Sequence, residues 1–217
     1  AGRLTLDQGP DSGSTALART DLSNGFTVTT TSALGSVTSY TIEKLPTGQV
    51  RRTTIAPGGA ATVTLINIDG GRATTYPDGV QITTDIGPDP RFGMLAPLVV
   101  RRVRALPDGQ TETLTTQSSV SLADPTDRLS LQTLTDTFTV NGTRTFTQAY
   151  DGPTRTLTQT SPEGRQLVTV FDAQGRVISH TPAPGITPIV FTYDTQGRVT
   201  EERQGALALT YGYDALN

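Results

Sequence analysis

Phe171-Asp172-Ala173-Gln174-Gly175-Arg176-Val177 returns 22 residues later as Tyr193-Asp194-Thr195-Gln196-Gly197-Arg198-Val199. A third copy opens 20 residues further on, at Tyr213-Asp214-Ala215-Leu216-Asn217, and stops where Gly-Arg is due. Weaker relatives stand at Tyr150-Asp151 and Gly164-Arg165. Every position of the motif has a physical reason. The aromatic residue ends an incoming strand and is expected to pack on the core face. Asp accepts backbone N–H groups inside the turn. Gly supplies a positive φ before the chain returns. Arg can pair with Asp across the turn or lie over an aromatic ring. A repeat of this length holds two strands of about seven residues, each roughly 23 Å long at ~3.3 Å per residue, with their turns. Repeats of 20 to 50 residues mean a modular array in which each unit lends its apolar face to its neighbour.

The rest of the chain carries the same signal in weaker form. Phe26-Thr27-Val28-Thr29, Val63-Thr64-Leu65-Ile66 and Thr137-Phe138-Thr139-Val140 alternate apolar residues with Thr, the period of a half-buried strand. Their β-branched side chains lose rotamer freedom in a helix, which argues against the amphipathic alternative. Between such runs stand Leu45-Pro46-Thr47-Gly48, Tyr76-Pro77-Asp78-Gly79, Leu106-Pro107-Asp108-Gly109 and Ser161-Pro162-Glu163-Gly164. Pro presets the second turn position and Gly takes the left-handed one. The spacings Gly48 to Gly79 and Gly79 to Gly109, 31 and 30 residues, predict about three strands between like turns. Asn141-Gly142 is a two-residue hairpin signal. Asp85 to Pro97, with Pro88, Pro90 and Pro97, reads as a loop, a strand crossover or a subdomain joint. Ala123 to Leu129 could hold a helical turn.

Composition agrees with an all-β chain and excludes several functions. Of 217 residues 41 are Thr, whereas Glu numbers five and Lys one. No Cys is present, so disulfides, thiolate metal sites and a cysteine nucleophile are out of reach. A net charge of −3 is not a nucleic-acid-binding profile. The longest apolar run, Met94 to Val100, is far short of the ~20 residues of a membrane helix. No signal peptide is visible, and the chain starts at Ala1 without Met, so further residues are expected upstream. A domain of this length removes roughly 70% of its unfolded surface from water, so a hydrophobic core is expected.

Candidate chemistry is thin. His180, the single His, sits in Ser179-His180-Thr181-Pro182 and reads as an exposed turn residue. Asp78, Asp108, Asp172 and Asp194 stand in turn motifs that account for them without catalysis. Asn67-Ile68-Asp69-Gly70-Gly71 lacks the spacing of a calcium loop. Arg101-Arg102-Val103-Arg104 reads as a solvated strand face. Tyr40, Tyr76, Tyr150, Tyr193, Tyr211 and Tyr213 are candidate sugar-stacking rings. Asn141-Gly142-Thr143 is a glycosylation sequon. No catalytic residue, cofactor site or metal site is assigned.

Tyr-Asp-x-x-Gly-Arg at this spacing resembles the YD repeat of RHS-repeat proteins: bacterial polymorphic toxins, shell components of insecticidal toxin complexes, and teneurin ectodomains. The strict motif covers Phe171 to Asn217, and the region around Gly87-Pro88-Asp89-Pro90-Arg91-Phe92-Gly93 is similar to the degenerate stretch before the repeats of large bacterial members. The resemblance implies β-hairpins that spiral into a hollow shell around a toxin, or into an extracellular barrel. The chain is far shorter than such a shell, and a fragment is expected. Asp89-Pro90 and Asp124-Pro125 are not followed by Gly-Leu, so self-cleavage is not transferred to them.

The resulting expectation is an antiparallel β-hairpin repeat array with little or no helix. Residues 1–149 would form a degenerate array with an irregular joint near 85–97, and residues 150–217 the YD hairpins, the last truncated. Its scaffold residues are Phe171, Asp172, Gly175, Arg176, Tyr193, Asp194, Gly197, Arg198, Tyr213 and Asp214. The expected role is a non-catalytic wall that encloses or presents an effector, in a secreted or cell-surface bacterial protein. Expected partners are the rest of a larger RHS polypeptide, other copies through open strand edges, or an enclosed toxin domain. The alternative is an extracellular adhesive module that binds glycans or proteins and self-assembles into a fibre. Neither a nucleic-acid partner nor a membrane span is expected.

Overall fold

The structure is a computed structural model and describes residues 2–9 and 13–214. Ala215, Leu216 and Asn217 of the third repeat lie outside the described residues. The fold is all-β, with no helix among the described residues. In order the strands are β1 (Leu6–Gln8), β2 (Ser14–Leu22), β3 (Gly25–Ser32), β4 (Val37–Lys44), β5 (Val50–Ile55), β6 (Ala61–Ile66), β7 (Arg72–Thr75), β8 (Gln81–Asp89) and β9 (Gly93–Ala105). There follow β10 (Thr111–Leu122), β11 (Leu131–Val140), β12 (Arg144–Asp151), β13 (Thr156–Thr160), β14 (Gln166–Phe171), β15 (Val177–Thr181), β16 (Ile189–Tyr193), β17 (Val199–Gln204) and β18 (Leu207–Thr210).

Two compact units divide the chain, Ala1–Gly87 with Leu98–Thr113 and Pro88–Pro97 with Leu114–Asn217. In the first, β1 to β8 pair consecutively and antiparallel. In the second, β10 to β18 do the same. The proline-rich stretch forms the β8–β9 hairpin, with Pro88 and Pro97 inside strands. Its tip is closed by Asp89, whose Oδ1 accepts the N–H groups of Arg91 (2.7 Å) and Phe92 (2.9 Å). Ala123 to Leu129 makes hydrogen-bonded turns between β10 and β11, not a helix: Asp127 N–H donates to the Asp124 carbonyl at 3.0 Å.

One turn recurs along the chain. It closes Leu45–Gln49, Ala56–Ala60, Asn67–Gly71, Tyr76–Val80 and Leu106–Gln110 in the first unit, and Ser161–Arg165, Asp172–Arg176 and Asp194–Arg198 in the second. Each time the first residue's N–H donates to the fifth carbonyl at 2.7–2.9 Å, and the fourth N–H donates to the first carbonyl at 2.9–3.1 Å. The fourth residue is Gly in all of them, with φ between +77° and +90°. This is the hairpin loop of a type I turn followed by a left-handed residue. The Pro-type turns and the YD turns that read as separate motifs are therefore one structure. The strand spacing differs from the expectation: β5, β6 and β7 separate Gly48 from Gly79, but only the longer β8 and β9 separate Gly79 from Gly109.

The expected core is absent. No described apolar side chain is buried, and Thr169 at 7% exposure is the buried polar one. The reason is the pairing itself. In each unit a side chain meets its in-sheet neighbours, and no second layer covers it. Stability must then come from cross-strand pairs, each worth about 0.2–1 kcal/mol. In the second unit these segregate by face. Leu134, Tyr150, Leu157, Thr169 and His180 make one continuous cross-strand row. Thr133, Thr135, Thr137 and Thr139 point to the opposite face, beside Thr145, Thr147, Thr156, Thr158 and Thr160 of β12 and β13. In the first unit Thr shares both faces with apolar residues. Thr27 and Thr41 meet hydroxyl to hydroxyl at 2.8 Å, as do Thr64 and Thr74 at 3.0 Å.

The turn geometry makes a sharp prediction. Gly175 (φ +79°) and Gly197 (φ +81°) hold a conformation that costs an L-residue about 1–2 kcal/mol, and a β-branched one more. Gly175→Val and Gly197→Val lower the urea-unfolding midpoint accordingly. Gly212→Ala, in open space without a positive φ, leaves the unfolding free energy within about 0.5 kcal/mol of the native value.

Candidate functional site

The repeat motif builds its site around a carboxylate. Asp172 Oδ1 accepts the N–H groups of Gln174 (2.8 Å) and Arg176 (2.9 Å), and Oδ2 accepts Nε of Arg176 at 2.7 Å. Asp194 repeats this with Gln196 (2.9 Å), Arg198 N–H (2.9 Å) and Arg198 Nε (2.8 Å). Asp at the first turn position can thus satisfy the turn's N–H groups and hold the Arg that follows it by four. In the Pro-Asp-Gly turns the Asp stands two places later and reaches only one N–H, Asp78 to Val80 and Asp108 to Gln110, both at 3.0 Å.

The Arg held in this way then meets the next repeat. The Arg176 guanidinium lies 4.5 Å from the ring centroid of Tyr193, and Arg198 lies 4.3 Å from that of Tyr213. The Tyr193 hydroxyl donates to the Val177 carbonyl at 2.6 Å, and Tyr213 to Val199 at 2.7 Å. Asp, Arg, the next Tyr and the Val carbonyl make a closed circuit that ties each hairpin to its successor. Both roles foreseen for Arg are filled at once, and the ring under it belongs to the following copy. The Val carbonyl was not readable from the motif. The pointer to the Tyr was its interval from Arg, 17 residues in one case and 15 in the other.

The weaker copies deviate where their sequence does. In Tyr150-Asp151-Gly152-Pro153-Thr154-Arg155, Thr replaces Gly, and the left-handed residue becomes Arg155 at φ +51°. Asp151 Oδ1 turns to Thr154, accepting from its N–H at 2.8 Å and its hydroxyl at 2.6 Å. Phe171, in the Tyr position, has no hydroxyl to donate. In Ser161–Arg165, Ser replaces Asp, and its Oγ accepts the Arg165 N–H at 3.2 Å.

His180 is not an exposed turn residue: it is half-buried in β15, with Nδ1 3.1 Å from the Thr169 hydroxyl. Thr169 faces it because the two are cross-strand partners. Arg101, Arg102 and Arg104 are exposed on β9, with Arg101 3.3 Å from Asp85. Asp69 Oδ1 accepts the Gly71 N–H at 2.9 Å. Tyr193 and Tyr213 are committed to the Arg contacts, and the Tyr211 hydroxyl donates to Glu202 at 3.3 Å. No group of three or more His, Cys, Asp or Glu side chains suited to a metal occurs among the described residues.

With this circuit in view, the comparison with known families is decisive. The profile of the teneurin YD-shell family matches residues 1–217. The chain belongs to that family. The YD repeats are the parts of it that the Asp–Arg–Tyr circuit joins, and the first unit is covered by the same match. Comparison with curated proteins gives no match. Among solved structures, the E1021V mutant of the TCP10 domain of Danio rerio CPAP is similar over 94% of this chain and 100% of that one, at 16% identity. Its TM-score of 0.19 is too low to support any argument.

The circuit is acid-sensitive. Burial pushes the Asp172 carboxyl up, but the Arg176 N–H and guanidinium outweigh it and leave it below the usual value. The Arg198 N–H and guanidinium likewise lower Asp194. A carboxyl lowered by folding contributes stability above its unfolded pKa and loses it as pH falls through the folded one. Unfolding midpoints of the chain should therefore fall below about pH 4. Asp172→Asn with Asp194→Asn should flatten that decline while lowering stability at pH 7. An unchanged acid profile in the double variant would contradict the assignment.

Proposed function

We propose that the chain is a stretch of wall in a YD shell that encloses or presents an effector, and that it acts without catalysis. The observation that carries this reading is the Asp–Arg–Tyr circuit, which passes from one hairpin to the next and is placed to propagate a sheet instead of to bind a substrate. The lack of a buried apolar side chain among the described residues suits a wall, whose two faces meet different surroundings. The His180 environment supports the absence of catalysis, since its ring bonds a Thr and not a carboxylate.

In this reading Asp172, Arg176, Tyr193, Asp194, Arg198 and Tyr213 carry the hairpin-to-hairpin joints, Phe171 and Asp214 extend the register, and Gly175 and Gly197 set the turns. Residues 1–149 form the degenerate part of the wall and 150–217 its regular part. The partners are the remainder of a longer RHS polypeptide and the enclosed effector. The setting is the surface or exterior of a bacterial cell. The exposed β18, with Leu207 and Leu209 at 76% and 62% exposure, is where a following strand or a second copy would pair.

Protease protection tests the proposal. In the full polypeptide, the segment enclosed by the wall should resist trypsin, and Gly175→Val with Gly197→Val should expose it. Equal digestion rates in the native and variant proteins would refute enclosure.

A further inference from the structure

The first unit carries three cations without a counter-ion on one face of its sheet. Cross-strand pairing puts Lys44, Val50, Ile66 and Arg72 in one row over β4 to β7. Arg52 stands in the adjoining row, between Ile42 and Thr64. Lys44, Arg52 and Arg72 are exposed, whereas Val50 and Ile66 are half-buried. None of the three cationic side chains makes a hydrogen bond, ion pair or ring contact with a described residue. The opposite face behaves differently. There Arg51 holds its cross-strand partner Glu43, by Nε at 2.9 Å and Nη2 at 3.1 Å. On the cationic face, strands β4 to β8 carry no Asp or Glu. At the nearby hairpin tip Asp69 is turned to the Gly71 N–H at 2.9 Å. We propose that this face docks an extended acidic peptide, with carboxylates at positions i and i+4 on Lys44 and Arg72 and an apolar side chain at i+2 over Val50 and Ile66.

Spacing and charge select that partner. Lys44 and Arg72 stand three strand intervals apart, about 14 Å at ~4.8 Å each. An extended chain advances about 13 Å in four residues and turns i, i+2 and i+4 to the same side. A peptide laid across the strands therefore meets both cations and the apolar pair at once. The long Lys and Arg stems absorb the small difference in length. Opposite charges facing each other fix the register of such a contact. Phosphate groups would answer the cations but offer nothing to Val50 and Ile66. A second copy of this chain does not carry the pattern. Its acidic residues stand four apart at Asp7 and Asp11, Asp85 and Asp89, and Asp108 and Glu112, and the residues midway are Gly9, Gly87 and Gln110.

The site stands independently of the shell reading, because it needs only β4 to β7. Fluorescence anisotropy of the full chain with labelled peptides tests it, at low ionic strength where exposed charges are least screened. The peptide Thr-Glu-Thr-Val-Thr-Glu-Thr should bind. Thr-Glu-Glu-Val-Thr-Thr-Thr, equal in composition and charge, should bind about fivefold more weakly, the worth of one exposed ion pair. Lys44→Gln and Arg72→Gln should each weaken the first peptide about fivefold, erase its advantage over the second and leave the urea midpoint unchanged. Arg104→Gln, which removes an exposed cation of β9, should leave its affinity as it was. If Arg72→Gln unfolds, Lys44→Gln alone decides. No binding of the first peptide, equal binding of the two, or an equal loss in Arg104→Gln would overturn the proposal. Tighter binding of a thymidine trinucleotide or of phosphatidylglycerol vesicles would overturn it too.

Discussion

The guanidinium of Arg176, held at 2.7 Å by its own Asp and lying 4.5 Å from the ring of the next Tyr, is the contact on which the regular array depends. Each half of that arrangement needs the other. The carboxylate fixes Nε and fixes the turn N–H groups with its second oxygen, so the planar guanidinium arrives pre-oriented over the ring. A cation over an exposed aromatic face is worth only about 0.5–1 kcal/mol by itself. Here it is joined by the Tyr193 hydroxyl of β16, which donates to the Val177 carbonyl of the neighbouring β15. A weak contact thereby becomes a register lock between successive hairpins.

Such locks add side-chain ties to the backbone ladder of the second unit. Pairing runs strand to sequence neighbour within each unit, and no apolar side chain is buried among the described residues. Stability in such an array is close to a sum of per-hairpin terms and nearest-neighbour interface terms. Losing one joint should therefore open the array locally. The first unit manages with a looser device. There two turn glycines sit against a following isoleucine, Gly48 against Ile68 of the Asn67–Gly71 turn and Gly70 against Ile86 of β8, and Gln49 Nε2 donates to Asn67 Oδ1 at 2.7 Å.

The strands and turns were legible because both are local. Alternating Thr and apolar residues, and a Gly at each fourth turn position, declare themselves within a few residues. The YD motif was legible because it repeats. What stayed hidden was non-local. Whether a second layer covers the sheet leaves no period in the sequence, so the missing core was not foreseen. His180 precedes Pro182 and looked like a turn residue, yet pairing with Thr169 holds it in a strand. The pairing of Phe138 with Phe146 depends on the register across Asn141-Gly142, and no single stretch of sequence displays it.

Hydrogen exchange on the second unit, comparing the native chain with Arg176→Ala, tests the central claim most directly. If the Asp–Arg–Tyr circuit couples hairpins, protection falls in the Asp172–Arg176 turn and also across β16 and β17, which Arg176 meets through Tyr193 and beside Gly197. Loss of protection confined to the Asp172–Arg176 turn would show that each hairpin stands alone and that the ladder is ornament on a sheet held by its backbone.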